Sequence, residues 1–309
     1  MERDEESGSL TVKLVRTGPE FTDVWEMEKH IEDGVEAWKS FDEWYEELFA
    51  LTYISGDRGR LWKQLRKRGA KLGMEFMSRE MVEALQGCDL LVVVDETYPF
   101  PADVFRFRDK WLFEIVPIVH SVKGGAGDIF DDHEYGTALV LDLQGPGDRE
   151  GEEAPRVSEH LSGITGVDHE MLMTLTNEET IDALESREAD VLHLATHAYP
   201  DEFFPGRGNK GVKVGKLTKL KTAYRTVLST GCHTGNPLFA KAIMDDGTRF
   251  FIASMYRTAG DDGAIFASGF YDELYSGKTP FEAFYEMKYK ITVENPDMPD
   301  ILRFVLYVH

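Results

Sequence analysis

Val191-Leu192-His193-Leu194-Ala195-Thr196-His197-Ala198 is a short, nearly unbroken apolar run that ends on a histidine. Its length and the absence of 3.6-residue spacing read as a strand buried on both faces. Thr226-Val227-Leu228-Ser229 reads the same way and leads into Thr230-Gly231-Cys232-His233-Thr234-Gly235. Working outward, residues 89–95, 111–119, 137–143 and 250–255 are further runs of this kind, and residues 302–308 read as a last strand. Helical stretches, among them residues 178–188 and 237–245, separate several of them. Strands this apolar, alternating with helices, predict an α/β fold with a mostly parallel central sheet covered on both sides.

Upstream, Trp25, Met27, Ile31, Val35, Trp38, Phe41, Trp44 and Leu48 recur at steps of three and four and predict a helix over residues 20–50. Residues 60–86 repeat the pattern with a basic first half. The expected organisation is a helical N-terminal region over residues 1–86 and a sheet domain over residues 87–309, the two packed as one domain or as neighbours. The Gly-, Pro- and acid-rich residues 145–155 read as a surface loop rather than a linker, and residues 199–218 as a second long irregular stretch.

The 309 residues carry a formal net charge of -22, which disfavours a nucleic-acid surface, for that needs clustered Lys and Arg. No basic patch stands out. The acidic start, Met1-Glu2-Arg3-Asp4-Glu5-Glu6, has no apolar stretch behind it and does not read as a secretory signal. No run of 18 apolar residues is present, so no membrane span is expected. Two cysteines, Cys88 and Cys232, make no disulfide framework, and a reducing cytoplasm is the expected setting.

In open parallel sheets, function collects at the carboxyl ends of the strands. Two strands here end in reactive residues, and if they are neighbours His197 and Cys232 share one cleft. Cys232 follows Gly231, which permits a sharp turn. It precedes Asn236-Pro237, an N-cap with proline at the first helical position. A helix N-terminus and a nearby imidazolium both lower a thiol pKa. A small buried core cysteine is the competing reading. Cys88, just before an apolar run, reads as core. His193 and His197 on one strand would stand roughly 13 Å apart, too far to share a metal ion, so no metal is expected. His193, between two leucines, reads as a core histidine. Residues 206–211 match GxGxxG without a strand before or a helix after, residues 277–279 only end like a P-loop, and no GxSxG elbow is present.

The order of these blocks resembles the CHAT family, a branch of the caspase-like cysteine peptidases that includes separases and gingipains. Leu90-Leu91-Val92-Val93-Val94-Asp95 with Phe100-Pro101-Ala102-Asp103-Val104-Phe105 resembles the family's strand and "LPWELL"-type segment. Residues 189–197 are similar to "ADVLHLATHG", and residues 227–235 to "VLSACETG". Residues 252–256, 270–274 and 280–284 resemble the closing "IASLW", "FYxxL" and "SxxEAL" blocks. Together the blocks span roughly residues 60–290. Two positions depart from the pattern: Ala198 stands where the family has glycine, and Gly231 where it has alanine, with an apparent one-residue insertion.

The resemblance implies a caspase-like α/β/α sandwich and a cysteine endopeptidase without cofactor. In it His197 is the base and Cys232 the nucleophile, with the backbone amides of Ala198 and Cys232 as the oxyanion hole. It implies a protein or peptide substrate, a strict preference for the residue before the cut, and latency until an activating protein partner acts. Asp261 and Asp262 stand where separase-like relatives place an acid that meets a basic side chain, and they favour Arg or Lys. Arg257 in the same loop argues for an acidic preference. A catalytically inactive scaffold that binds a partner through the same cleft is the alternative, against which stands the presence of both His197 and Cys232.

Overall fold

The computed structural model describes residues 2–4, 9–15, 26–31, 36, 39–41, 43–47, 58–86, 88–95, 100–123, 129, 133–144, 152–173, 175–204, 211–219, 224–245, 247–258, 260–294 and 302–309. The chain divides into two compact units, residues 1–93 with 100–118, and residues 94–99 with 119–309.

In the first unit, β1 (Glu2–Asp4), β2 (Ser9–Val15) and β3 (Glu26–Ile31) form an antiparallel sheet in that order. The helix expected over residues 20–50 is therefore a strand at Glu26–Ile31, with helical turns only within residues 36–47. A spacing of four, as between Met27 and Ile31, fits the helical period and the strand period alike, and pairing with β2 decides for the strand. Trp25, Val35, Trp38 and Leu48 lie outside the described residues. Downstream come the helices Arg58–Phe76 and Arg79–Leu85, the second capped by Ser78 Oγ, which accepts from Met81 N at 3.2 Å. Then follow β4 (Leu91–Val94) and a hairpin of β5 (Arg106–Phe107) and β6 (Lys110–Trp111).

The central sheet adds β7 (Ile118–Ser121), β8 (Thr137–Asp142), β9 (Asp168–Met173), β10 (Val191–Ala195), β14 (Thr226–Ser229), β15 (Phe250–Ser254) and β16 (Phe304–Val308). It has eight strands in the order β4-β7-β16-β15-β14-β10-β8-β9. Every pairing from β9 to β15 is parallel, and β16 runs antiparallel to β15. Both edges depart from expectation. The run at residues 89–95 forms edge strand β4, where Leu91 and Val92 are half-buried and Val94 is exposed, instead of a strand buried on both faces. The other edge, β9, was not legible because Asp168-His169-Glu170-Met171-Leu172-Met173 stays partly wet and needs no apolar run. The run at residues 111–119 is no single strand: Glu114 takes the Trp111 N–H at 2.6 Å in a 3₁₀ turn, and Pro117, with no N–H to give a ladder, stands before β7.

The two irregular stretches also carry structure. A separate antiparallel ribbon, β11 (His197–Tyr199), β12 (Glu202–Phe204) and β13 (Val212–Lys213), occupies much of residues 199–218. Buried Phe203, Val212, Val214 and Leu217 anchor it, too sparsely spaced to signal a strand beforehand. Residues 205–210, which hold most of the GxGxxG match, lie outside the described residues. From the supposed loop at residues 145–155, a helix emerges at Glu153–Ser162, with Pro155 tolerated in its first turn.

Asp190, just before β10, ties this strand to β8. Its Oδ2 accepts from Gly136 N and Thr137 N at 2.9 Å each and from Thr137 Oγ1 at 2.8 Å, and Oδ1 lies 2.8 Å from His133 Nε2. Burial pushes this carboxyl up, but the hydrogen bonds outweigh burial and hold it below the ordinary aspartate value. A depressed folded pKa gives stability that is present above the unfolded pKa and lost as pH falls through the folded one. Asp190→Asn is accordingly expected to lower unfolding stability by about 2 kcal/mol near neutral pH. In urea titrations the deficit should shrink below about pH 4; an equal deficit at pH 7 and pH 3 would contradict the clamp.

Candidate active site

The site lies in the second unit, at the carboxyl edge of the sheet. β10 and β14 are parallel neighbours with Leu194 opposite Ser229, and Thr230 N donates to Leu194 O at 3.2 Å. His197 stands three residues beyond Leu194 and Cys232 three beyond Ser229, each on the segment that follows its strand. Both residues are half-buried, neither sealed in the core nor fully wet. The reading of Cys232 as a core cysteine is thereby disfavoured on burial. Cys88, expected in the core, is half-buried instead, its Sγ 3.5 Å from Ala84 O, on the other unit.

The segment around Cys232 is tightly built. A Cβ on Gly231 would lie 2.8 Å from Thr196 Cγ2 and 3.0 Å from Thr196 O, so only glycine lets this turn approach the strand end that carries His197. His233 adopts φ 59°, a left-handed conformation unusual outside glycine, which turns the chain sharply after the cysteine. Thr234 Oγ1 donates to Gly231 O at 2.8 Å, and Gly235 N to Ser254 O at 2.7 Å. Asn236 then caps the helix Pro237–Met244, accepting from Leu238 N at 2.9 Å and Phe239 N at 3.2 Å.

Beneath this edge lies a polar cluster that sequence reasoning missed. Glu153, 2% exposed, accepts from Thr230 Oγ1. His193 is fully buried, with Nε2 3.2 Å from Glu153 Oε1 and Nδ1 2.9 Å from Tyr271 OH. Burial drives the Tyr271 phenol well above its ordinary pKa, so it stays protonated and can donate to Nδ1 while Nε2–H donates to Glu153. His193 is therefore the satisfied core histidine expected. Asp142, ending β8 opposite Ala195, is pushed up by burial and by the Glu153 carboxylate nearby, against a hydrogen bond from Gln144 N. The signal for Asp142 was available as a carboxylate closing an apolar run. Glu153 was hidden in a segment that read as loop.

The remaining predicted residues spread out. Ala198, 7% exposed, pairs with Phe203 in the β11–β12 ribbon. Asp261 and Asp262 occupy the first turn of the helix Gly260–Tyr275. The Asp261 carboxylate is paired with Arg156 from the helix Glu153–Ser162, whereas Asp262 is 0% exposed. Arg257 is exposed on the segment after β15. A Cβ on Gly263 would lie 3.3 Å from both Glu153 Cδ and Thr230 Cβ, so this helix start packs against the support of the cysteine loop. Among the described residues no cluster of His, Cys, Asp and Glu has the geometry of a metal site, and no helix is long and apolar enough to cross a membrane.

No protein-family model and no curated protein matches the chain. Among solved structures, it is similar to the Arg-specific cysteine proteinase gingipain R, with a TM-score of 0.50 and 13% identity, over 75% of this chain and 67% of that one. It also matches the Saccharomyces cerevisiae separase–securin complex, at TM-score 0.39 and 12% identity, over 57% of this chain and 12% of that one. A secreted C11 cysteine protease from Bacteroides thetaiotaomicron, in complex with an irreversible peptide inhibitor, matches at TM-score 0.38 and 11% identity, over 52% of this chain and 59% of that one. With its mostly parallel eight-stranded sheet and flanking helices, the chain has the caspase-like α/β/α fold.

Proposed function

We propose that this protein is a cysteine endopeptidase acting through a His197–Cys232 dyad. The observation that supports the reading is the register of β10 and β14, in which the histidine and the cysteine each follow by three residues the paired Leu194 and Ser229 of adjacent parallel strands. Cys232 attacks the scissile carbonyl as the thiolate, with its proton on His197. The carbonyl oxygen takes the negative charge, the C–N bond breaks, and His197 protonates the departing amine. Water, deprotonated by His197, then cleaves the thioester and restores the thiol.

The oxyanion donors in this reading are the amides of Ala198 and Cys232. The ribbon hairpin closes at Tyr199 opposite Glu202, and antiparallel pairs alternate outward from such a turn between bonded and non-bonded positions. Ala198 then falls at a non-bonded position, its N–H directed away from β12. Asp261 would meet a basic residue before the cut, giving up Arg156 to do so, and Arg or Lys is the preference proposed. The fold's similarity to an Arg-specific proteinase is in keeping with that choice. The enzyme is proposed to act on protein substrates in the cytoplasm and to stay latent until a protein partner engages it.

Hydrolysis of a peptide library with Arg, Lys, Asp or Asn before the scissile bond tests this directly. Cleavage after Arg or Lys is expected, abolished in Cys232→Ala and weakened in Asp261→Asn. Cleavage that survives in Cys232→Ala would refute the nucleophile. No cleavage together with a Cys232 inert to an electrophilic peptide would favour the inactive scaffold, and a reactive Cys232 without cleavage would mark the latent state.

Gly231→Ala supplies a second test. Its Cβ forces the cysteine turn away from Thr196, so kcat/KM should fall roughly tenfold or more, with slower alkylation of Cys232 at pH 7. Unchanged kinetics in a folded Gly231→Ala protein would mean that the turn does not set the position of the sulfur.

A further inference from the structure

A strongly acidic chain concentrates cations at one place in its first unit. Gly69 and Gly73 let the helix Arg58–Phe76 press onto the segment that leads into the β5–β6 hairpin: a Cβ on Gly73 would lie 2.9 Å from Arg106 O and 3.0 Å from Phe107 Cζ. Beside this contact opens a groove of about 860 Å³, bounded by the helices Arg58–Phe76 and Arg79–Leu85, the hairpin and Lys29 of β3. A volume of this size falls in the range of ligand-binding clefts.

Its apolar surface includes Met74, 69% exposed, with Phe107 and Ile115. Its rim carries Lys29, Arg79, Arg106, Arg108 and Lys110, against Glu83, Asp109 and Glu114. Two of these acids are engaged, Glu83 by Arg79 at 2.7 Å and Glu114 by the Trp111 N–H. Lys29 is held by Met74 O at 2.9 Å. Among the described residues, Arg106, Arg108 and Lys110 make no ion pair, although the chain has 56 acidic residues against 34 basic ones.

Three further observations point to an anionic ligand here. Arg106 Nη2 donates to Asp109 O at 3.0 Å, but its Nε is buried and has no hydrogen-bond partner. An orphaned charged donor is costly to bury, and an incoming acceptor removes that cost. Arg66, next to it, has its pKa lowered by burial and by the Arg106 charge, so the two guanidinium groups repel each other without a counter-charge large enough to cancel the effect. At the tip of the hairpin, Arg108 sits at φ 56°, where Asn or Gly is the ordinary choice. That residue spends conformational energy to present a cation where a turn former would serve the fold better.

We propose that this groove is a docking site for an acidic peptide segment of a partner protein, in which carboxylates meet Arg106, Arg108 and Lys110 and an apolar side chain covers Met74 and Phe107. The site uses none of the residues assigned to the dyad or its support, and it stands whether or not the chain is a peptidase. Extended peptides bind such surfaces by combining a few apolar anchors with charge-assisted hydrogen bonds, which give specificity and a salt-sensitive association rate.

The test is fluorescence anisotropy with the full-length Cys232→Ala chain, in which no cleavage intervenes, and a fluorescein-labelled Asp-Glu-Leu-Asp-Phe-Asp-Glu peptide. A version with every acid replaced by lysine serves as the control. The acidic peptide is expected to bind and the lysine peptide not. Affinity should fall roughly tenfold or more in the surface variant Arg108→Glu/Lys110→Glu and with salt raised from 50 to 300 mM. Met74→Glu should weaken binding while thermal unfolding stays unchanged in both variants. The proposal is overturned by absence of binding, by equal binding of the lysine peptide, or by equal affinity in the charge-reversed variant. Tighter binding of a single-stranded oligonucleotide, or a dimer that the charge reversal dissolves, would assign the groove to another occupant and overturn it as well.

Discussion

The register between β10 and β14 is the constraint on which the candidate site rests. Parallel strands are locked by slanted, evenly spaced hydrogen bonds, and a slip of one residue would turn every side chain to the opposite face. Here the lock continues one residue past the pairs, through Thr230 N to Leu194 O, before the chain departs to Cys232. On the other strand, Thr196 separates β10 from His197, and its Cγ2 and carbonyl oxygen are what Gly231 packs against. The histidine and the cysteine are thus positioned by backbone pairing that is complete two or three residues before either side chain appears.

What lies below that edge is expensive, and its arrangement shows why it is tolerated. A histidine, two carboxyl groups and a phenol are withdrawn from water at His193, Glu153, Asp142 and Tyr271. Groups like these destabilise a core unless each proton and lone pair is matched. Glu153 meets this demand by accepting from Thr230 on the cysteine strand while His193 Nε2 lies 3.2 Å away on the histidine strand. One carboxylate therefore bridges the two strands that lead to His197 and Cys232, the residues of the proposed dyad. Helix Gly260–Tyr275 closes the cluster from the other side with Gly263 against Glu153 and with Tyr271 on His193. Displacing any one of these would leave a buried charge or donor unmatched, so the support is rigid by penalty as well as by contact.

How much of this was legible follows from what the residues must satisfy. The interior strands were readable because a strand covered on both faces has to be largely apolar, as Val191–Ala195 is apart from His193 and as Val227-Leu228 is at the centre of Thr226–Ser229. The edges were not: β9 is polar at half its positions and β4 looked more buried than an edge position makes it. His197 and Cys232 were legible as strand-end residues on runs of that kind. The functional roles assigned to Asp261 and Asp262 rested on resemblance, and the structure separates the two, one in an ion pair with Arg156 and one fully buried. Glu153 was illegible because its burial depends on a tertiary contact with Thr230, 77 residues away, for which the local sequence carries no period or turn signal.

The same limit applies to charge. A net charge of -22 describes the field far from the protein, where individual groups merge. Within a Debye length, about 8 Å at physiological salt, the local arrangement dominates. Lys29, Arg79 and the Arg106–Lys110 hairpin are dispersed over more than 80 residues and make no basic run, so the composition conceals them. They converge because two glycines one helical turn apart bring a hairpin onto a helix, a packing requirement unrelated to charge.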